Sequence, residues 1–257
     1  MSEIKSIAQI KEELKAANAT QLPFLIQAYE NDQRAGVQAL LEKERKKQEK
    51  LEKELQRVEN LCTYEKKYAD YAYICGIDEV GRGPLAGPVV AGAVILPKDC
   101  RILYINDSKK LSSAKREALY QEIMDKALAT GIGMVGPGRI DEINILQATY
   151  EAMRQAIENL TIRPDILLND AVTIPGVDIR QVPIIKGDAK SISIGAASII
   201  AKVTRDHLME DYAKLMPEYG FDSNKGYGSA EHIAALKKYG PTPIHRKSFI
   251  GHFVEGS

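Results

Sequence analysis

Three short apolar segments, each ending at acidic residues, constrain the fold of this chain more than any other feature. We predict strands at Tyr73–Ile77, Pro164–Asp170 and Val182–Asp188. The acids at their ends are Asp78 with Glu79, Asp170 and Asp188. If these strands are neighbours, their carboxylates converge at one edge of a sheet, which is where open α/β sheets bind ligands. Alone, Asp170 and Asp188 are more typical of turn residues, and Asp78-Glu79 is more typical of an ordinary polar strand end. The prediction therefore depends on all three strand ends together.

The chain after residue 70 alternates between strand and helix patterns. Further strands are predicted at Val89–Leu96 and Thr130–Val135. Helices are predicted at Ala114–Ala129 (with Ser112 and Ser113 as candidate caps), Asp141–Leu160, Ser191–Met216 and Glu231–Tyr239. We therefore predict an α/β domain at residues 71–257 that includes a helical C-terminal region.

Residues 1–70 are predicted to form an N-terminal helical extension. Apolar residues follow helical spacing from Ile4 to Leu14, and a second short helix is predicted at Phe24–Tyr29. The long helix predicted at Ala39–Asn60 is rich in Lys and Glu and has few apolar positions. One interpretation is a solvated helix that packs along one thin stripe. The other is an accessory module that contacts the substrate or a protein partner.

Composition excludes several classes of protein. Lys plus Arg and Asp plus Glu both number 35, so any nucleic-acid binding must use a local basic patch. Three cysteines without a CxxC spacing argue against a disulfide scaffold or a zinc knuckle. The N-terminus has no signal-peptide pattern, and no apolar run reaches the roughly 20 residues of a membrane helix. We expect a cytoplasmic protein with no membrane association.

A glycine-rich turn directly follows the first acidic pair. Gly81-Arg82-Gly83 leads into a segment that faintly resembles a dinucleotide-binding loop. Such a loop needs a helix behind it to hold the pyrophosphate, whereas Val89–Leu96 is predicted to be a strand. We reject that interpretation. Glycines also let a backbone approach a ligand closely, so we predict that this turn contacts the substrate.

The converging carboxylates predict a metal site. Four carboxylates in one place repel one another, and divalent cations compensate for that repulsion. A site of oxygen ligands without His or Cys suits Mg²⁺ or Mn²⁺, and two such ions are the apparatus of phosphodiester hydrolysis. Adjacent strand residues point to opposite faces of a sheet. Asp78 and Glu79 can therefore share a site only if the chain bends there, as Gly81 and Gly83 would permit.

Several motifs together resemble the ribonuclease HII family, the type 2 ribonucleases H. The motifs are GIDEVGRGPLAGPVVAGAVIL, DSKKLS (Asp107–Ser112), LLNDA (Leu167–Ala171), IKGDAKSISIGAASIIAKVTRD (Ile185–Asp206), NKGYGS (Asn224–Ser229) and HRKSF (His245–Phe249). They cover residues 72–250 in order, and the joint signal is specific although each piece alone is weaker. One departure is Asn169, which stands where the family commonly has an aliphatic residue.

The resemblance implies a ribonuclease H-like fold, a mixed five-stranded sheet flanked by helices. It implies metal-dependent endonucleolytic cleavage of RNA in RNA–DNA hybrids and nicking 5′ of single ribonucleotides in duplex DNA. The products would carry a 3′-hydroxyl and a 5′-phosphate. The enzyme would act in the removal of ribonucleotides and primers. The family's catalytic, metal-binding acids fall on Asp78, Glu79, Asp170 and Asp188, for two Mn²⁺ or Mg²⁺ ions.

Substrate contacts are also implied by the resemblance. The glycine-arginine-glycine turn falls on Gly81, Arg82 and Gly83, and the tyrosine that reads the ribonucleotide junction falls on Tyr227. Telling RNA from DNA requires contact with the 2′-hydroxyl. Tyr227 would stack on the following deoxyribose; its alternative is a core tyrosine.

Basic residues supply further candidates for phosphate contact. They are Arg82, Lys109, Lys190 and Lys225. For each lysine the alternative is a solvated surface charge. His245-Arg246 is either a phosphate contact or a structural element, whereas His207 and His232 are expected to be ordinary polar residues on helices.

Two rival functions stay open at this point. A type 3 ribonuclease H shares the same core but acts poorly on isolated ribonucleotides. A non-catalytic protein that binds nucleic acid through its N-terminal helices is the rival from another class, and the presence of all four acids argues against it.

Overall fold

The structure, a computed structural model, describes residues 5–254, and Ile4 of the first predicted helix lies outside this range. Within this range the strands are β1 (Ile74–Val80), β2 (Val89–Ile95), β3 (Ala129–Val135), β4 (Ile166–Asp170) and β5 (Arg180–Ile184). They form one sheet in the order β3-β2-β1-β4-β5. β1 is antiparallel to β2 and parallel to β4, and β4 is parallel to β5. The predicted mixed five-stranded sheet is confirmed.

Helices make up most of the remaining chain. They are α1 (Ile7–Ala16), α2 (Gln21–Ala28), α3 (Ala35–Leu61), α4 (Thr63–Lys67), α5 (Ser113–Lys126), α6 (Pro137–Glu158), α7 (Ile192–Leu215), α8 (Phe221–Asn224), α9 (Ala230–Tyr239) and α10 (Lys247–Val254). No helix within residues 5–254 is both long and apolar enough to cross a membrane.

The chain divides into two compact units after Arg57. In the first unit a small core includes Ile10, Leu14 and Leu41. Exposed ion pairs such as Glu49–Lys53 line α3, and Leu51 is 42% exposed. This part of α3 is therefore solvated in the free protein, a surface that both interpretations require. The domain boundary predicted after residue 70 stays a prediction.

Both faces of the sheet are covered by helices in the second unit. Alternate residues of β1 and β2, such as Ile77, pack with α6, whereas Val94 packs with α7. A Cβ built on Gly76 would lie 2.1 Å from the backbone carbon of Ser193, so the start of α7 rests directly on the β1 backbone. The close packing of this helix therefore depends on glycine in the strand as well as on small buried residues near the helix start, such as Gly195 and Ala196.

Two predicted strand ends are wrong, and both errors concern the acids. β1 continues through Val80 because β2 supplies a pairing partner as far as Val90, so Asp78 and Glu79 lie inside the strand. β5 ends at Ile184, where its partner β4 ends. Asp188 instead lies on a short 3₁₀ turn, Gly187–Ala189, reached through a left-handed residue at position 186.

Two helix predictions also need correction. α5 ends at Lys126, before the predicted Ala129, because Ala129 already pairs with β2. Its predicted cap is confirmed, since Ser112 Oγ accepts from the amide of Lys115. α6 is kinked at Asn144, which has a φ of 67°. The kink shifts the helical phase, and Leu146, two residues after it, is 41% exposed.

Candidate active site

The first three acids lie on neighbouring parallel strands. Asp78 is buried in β1, and its Oδ1 accepts a hydrogen bond from the Glu79 amide at 2.8 Å. Ile77 is paired with Asn169, so Asp170 at the end of β4 lies beside Asp78. The sheet register therefore brings the Asp78 and Asp170 carboxylates together. Glu79 is near them as well, since the charge of Asp170 raises its pKa.

Asp188 joins this group through its turn. The amide of Gly187, the residue before it, donates to Asp170 Oδ1 at 2.7 Å. The charge of Asp170 also acts on Asp188. We call Asp78, Glu79, Asp170 and Asp188 the acidic cluster. The structure brings all four predicted acids together, and sequence reasoning missed the Gly187 amide that orients Asp170.

The members of the acidic cluster perturb one another. Burial raises the pKa of Asp78 well above its usual value, and the charges of Glu79 and Asp170 raise it further. The pKa of Glu79 is raised mainly by burial and also by Asp170, against an opposing effect of Arg82. Burial followed by the charge of Asp170 also raises the pKa of Asp188. Negative charge is therefore costly in this cluster unless a cation is supplied.

The donor set fits a hard divalent cation. All four side chains offer carboxylate oxygens, the ligands that Mg²⁺ and Mn²⁺ prefer. As the side chains stand, no group of three or more His, Cys, Asp or Glu residues within 5–254 is arranged to hold a metal ion. The raised pKa values of Asp78, Glu79 and Asp188 indicate that a bound cation would relieve both burial and repulsion.

The glycine turn and the predicted junction tyrosine lie side by side. A Cβ built on Gly83 would lie 3.8 Å from Tyr227 Cε1 and within 4 Å of nothing else outside its neighbouring residues. Tyr227 is 42% exposed, so the alternative of a core tyrosine is wrong. The turn and the ring thus border a shared open surface.

The predicted basic contacts differ in their environment. Arg82 is exposed and its Nη1 lies 3.4 Å from Glu79 Oε1. Lys109 is exposed and its charge lowers the pKa of Asp188, so it lies near the acidic cluster. Lys190 is exposed at the end of the turn that carries Asp188. Lys225 instead pairs with Glu210 at 2.6 Å, which engages its ammonium group within the protein.

Two buried arginines are the main features that sequence reasoning did not identify. Arg205 and Arg246, which we call the arginine pair, have no measurable exposure. The burial of Arg246 favours the structural alternative for the HRKSF motif over a phosphate contact. One signal was available for Arg205: it falls at four-residue spacing on an apolar stripe of α7 with Ala201 and Met209.

Two histidines form a buried pair that was also missed. His232 Nε2 and His245 Nε2 lie 3.0 Å apart. The Thr242 amide donates to His245 Nδ1, so His245 donates through Nε2 to His232, which in turn donates through Nδ1 to the Tyr227 carbonyl. The expectation that His232 is an ordinary polar residue is wrong, because it helps to hold the Tyr227 backbone. His207 is exposed beside Glu117, as expected.

Comparison with known proteins identifies the family. The sequence model of the ribonuclease HII family matches residues 75–252, and the family model of the ribonuclease HII N-terminal domain matches residues 6–69. The chain belongs to the ribonuclease HII family. It is 64% identical to a ribonuclease HII of Lachnoclostridium phytofermentans, over 95% of this chain and 96% of that protein. It is 52% identical to the Bacillus subtilis ribonuclease HII, over 95% and 96% respectively.

Solved structures agree with this assignment. The ribonuclease H2 of Pyrococcus horikoshii is similar with a TM-score of 0.59 and 29% identity, covering 71% of this chain and 97% of that chain. A ribonuclease HII from Archaeoglobus fulgidus, solved in a complex with PCNA, has a TM-score of 0.57 and 27% identity and covers 67% and 91%. An Aquifex aeolicus ribonuclease H3, at 15% identity, shares the fold.

Membership of the ribonuclease HII family decides between the rival functions. The protein is an endonucleolytic hydrolase with ribonuclease H activity, and the family depends on divalent metal ions. Neither a type 3 enzyme nor a non-catalytic binding protein fits the matches over both parts of the chain.

Proposed function

We propose that the protein cleaves the RNA strand of RNA–DNA hybrids and nicks DNA duplexes on the 5′ side of a single ribonucleotide. The products would carry a 3′-hydroxyl and a 5′-phosphate, and the enzyme would serve in ribonucleotide and primer removal in the cytoplasm. The observation that carries the proposal is the acidic cluster, in which Asp78 and Glu79 of β1 lie beside Asp170 at the end of the parallel strand β4. Such a cluster is costly to fold and suits phosphodiester hydrolysis.

In this proposal Asp78, Glu79, Asp170 and Asp188 hold two Mg²⁺ or Mn²⁺ ions. When bound, the ions supply a nucleophile at neutral pH and stabilise charge on the leaving oxygen. The protein contributes fixed carboxylate positions. The Gly187 amide orients Asp170, and Ser198, itself 3.0 Å from Ser108 Oγ, hydrogen-bonds to Asp78. These contacts leave the remaining carboxylate oxygens for the ions.

Selection of the ribonucleotide is assigned to the glycine turn and Tyr227. Backbone groups at Gly81 and Gly83 would contact the 2′-hydroxyl, which both donates and accepts hydrogen bonds. The Tyr227 ring would stack on the next sugar, where a 2′-hydroxyl would collide. The open space between Gly83 and Tyr227 supports this assignment. Arg82, Lys109 and Lys190 would contact phosphates, and Lys225 would do so only after leaving Glu210.

A labelled DNA duplex with one ribonucleotide tests the proposal directly. We expect a nick 5′ of the ribonucleotide with Mg²⁺ or Mn²⁺ and none with EDTA. Ligation or phosphatase treatment of the fragments checks the ends. Cutting of a continuous hybrid without any nick in this duplex would contradict the proposed substrate selection while leaving ribonuclease H activity intact.

We further propose that the N-terminal helical region binds substrate or a protein partner and is not required for the chemistry. Two N-terminally truncated proteins, one beginning at residue 58 and the other at residue 71, separate effects on binding from effects on folding. Val58 and Leu61 belong to the core of the second unit, and Glu65 accepts hydrogen bonds from Ser191 and Ser193. We expect the shorter deletion to keep cleavage chemistry with altered duplex affinity, and the longer one to lower the unfolding temperature as well. Unchanged affinity after the shorter deletion would contradict a substrate-binding role.

A further inference from the structure

Arg246 holds the glycine turn from inside the protein. Its Nη2 donates to the Gly81 carbonyl at 2.5 Å, its Nη1 to the Arg82 carbonyl at 2.9 Å, and its Nε to the Gly87 carbonyl at 2.9 Å. The side chain has no measurable exposure. One planar guanidinium therefore determines the direction of three peptide groups in the turn.

These hydrogen bonds from Arg246 also determine the direction of two backbone N–H groups. In a trans peptide the carbonyl of one residue and the N–H of the next point in opposite directions. Because the Gly81 and Arg82 carbonyls face Arg246, the N–H groups of Arg82 and Gly83 face away from it. Neither N–H donates to a protein acceptor within residues 5–254, and both residues are exposed. They are thus free donors on the surface beside Tyr227.

Arg205 links the same segment to the loop that carries Tyr227. Its Nη2 and Nε donate to the carbonyls of Ala86 and Pro88 at 3.0 and 2.9 Å, and its Nη1 donates to the Lys225 carbonyl at 2.8 Å. The Gly226 carbonyl accepts from the Leu85 amide at 2.8 Å. Two adjacent carbonyls before Tyr227 are therefore fixed to the segment that follows the glycine turn.

Close packing against Arg205 also explains the first glycine of the turn. Gly81 has a φ of 88°, and a Cβ there would lie 2.3 Å from Arg205 Nε. Within residues 5–254 neither arginine forms an ion pair with a carboxylate at 4.0 Å or less. Their partners are backbone carbonyls, which only a multi-donor fork can satisfy together.

We propose that Arg205 and Arg246 are positioning residues that set the spacing between the glycine turn and Tyr227, and hence the selection of a ribonucleotide junction. Arg246 presents the Arg82 and Gly83 amides to the ribose. Arg205 holds the Tyr227 loop at a fixed distance from them. This inference rests on the proposed function of those two segments.

Lysine substitutions separate position from charge. Arg246→Lys and Arg205→Lys keep a positive charge but lose the planar arrangement of N–H donors in the guanidinium group. Arg116→Lys is the matched control. Arg116 is a mostly buried arginine that contacts the Leu111 carbonyl and Asp206, the residue after Arg205 on α7. It hydrogen-bonds to neither the glycine turn nor the Tyr227 loop. Each variant is assayed on a continuous RNA–DNA hybrid and on the single-ribonucleotide duplex, well below its unfolding temperature.

The two variants should differ in their substrate dependence. Arg246→Lys should lower kcat/KM on both substrates by about 10- to 100-fold, since both need the ribose contact. Arg205→Lys should lower the single-ribonucleotide reaction by about tenfold more than the hybrid reaction. Arg116→Lys should leave the ratio between the two substrates unchanged. Equal losses on both substrates in Arg205→Lys, or losses that only follow the unfolded fraction, would overturn the proposal.

A second measurement does not depend on cleavage. Amide hydrogen exchange in EDTA should speed up at residues 81–88 in both lysine variants, and at residues 225–228 in Arg205→Lys. Affinity for the ribonucleotide duplex relative to all-DNA duplex, measured without metal, should fall in the same variants. If the unaltered protein cut no ribonucleotide duplex, the proposed function would fail; unchanged exchange and unchanged relative affinity would refute the positioning role by themselves.

Discussion

Buried charge is handled in two different ways within the second unit of this protein. In the acidic cluster, carboxylates raise one another's pKa values and receive few hydrogen bonds from the protein. In the arginine pair, each guanidinium donates to three backbone carbonyls. The first group is left in need of a cation, and the second is satisfied internally. The difference separates a site prepared for ligands from a device that shapes the backbone.

The contrast follows from what each group can bind. Carboxylates only accept hydrogen bonds when ionised, and a sheet edge offers few free N–H donors to several of them at once. A guanidinium has five donors, and turns such as residues 81–88 expose many carbonyls. Burial also disfavours the charged guanidinium and, with the charge of Arg205, lowers the pKa of Arg246 to about 9, but the three carbonyls offset part of that cost. The carboxylate cluster carries a cost that a bound metal offsets.

Removing one carboxylate from the acidic cluster should have the largest effect. Asp170→Asn or Asp78→Asn keeps the side-chain shape but lowers the affinity of the site for divalent ions. We expect cleavage of hybrid and single-ribonucleotide substrates to fall about a thousandfold or more. Gel assays of labelled substrates at saturating Mn²⁺ measure the loss.

The fold should survive both substitutions, which circular dichroism and thermal unfolding can verify. Glu218→Gln, an exposed carboxylate on another segment, is the matched control and should cleave normally. Retention of full activity by either Asn variant would contradict the role of the cluster in metal binding.

The two glycines of the turn should respond in opposite ways to alanine. Gly81→Ala places a Cβ against Arg205 Nε at a positive φ, so we expect a loss of roughly 2–4 kcal/mol in the free energy of unfolding. Gly83→Ala meets only the Tyr227 ring at 3.8 Å and should cost less than about 1 kcal/mol. Urea unfolding measures both.

Gly83→Ala, which should cost little stability, should instead lower activity. A methyl group in the open space beside Tyr227 should reduce cleavage of the single-ribonucleotide duplex by about tenfold in a stable protein. A Gly83→Ala variant with unchanged cleavage would remove the assignment of this space to the sugar. A stable Gly81→Ala variant would contradict the packing of the turn against Arg205.

The sequence revealed the acidic cluster more readily than the arginine pair. Strand ends, glycine turns and motif order are local patterns, and they located Asp78, Asp170 and the mixed sheet. The path of β1 past Ile77 depends on partners in β2, which are remote in sequence. Likewise Arg246 meets carbonyls about 160 residues away, so its role needs the fold. The kink at Asn144 was not predicted because it depends on the Asn144 side chain, which accepts hydrogen bonds from the Leu146 and Gln147 amides.

The cost of the acidic cluster can be measured without metal. A pKa of Asp78 raised above 3.8 means that its ionised form is disfavoured in the folded state, so stability is present at low pH and is lost as pH rises. Asp78→Asn should therefore raise the unfolding temperature in EDTA at pH 7 by about 2–5 °C. Calorimetry with and without Mg²⁺ tests this.

Two comparisons sharpen that measurement. The stabilising effect of Asp78→Asn should shrink as pH is lowered toward 4, because the unaltered carboxyl is then protonated. Mg²⁺ should raise the unfolding temperature of the unaltered protein more than that of the variant. A variant less stable than the unaltered protein in EDTA at pH 7 would show that the cluster is not strained by its charge.

The histidine pair should give the smallest effect, because its two rings satisfy each other while neutral. Burial, followed by the charge of His232, lowers the pKa of His245 from 6.5 to about 4, and burial also lowers that of His232. For a base with a depressed pKa, stability is fully present above 6.5 and is lost as pH falls toward 4. Between pH 7.5 and 5.5 we expect a loss of roughly 1 kcal/mol from His245 and a further loss from His232, measured by urea unfolding in EDTA.

Paired variants isolate this effect from the carboxylates, which titrate with the opposite sign. His245→Asn can still accept from the Thr242 amide but cannot be protonated, so it should be less stable at pH 7.5 and lose less on acidification. His207→Gln removes an exposed histidine and should keep the original slope. Equal slopes in all three proteins would mean that the pair accepts a proton without cost.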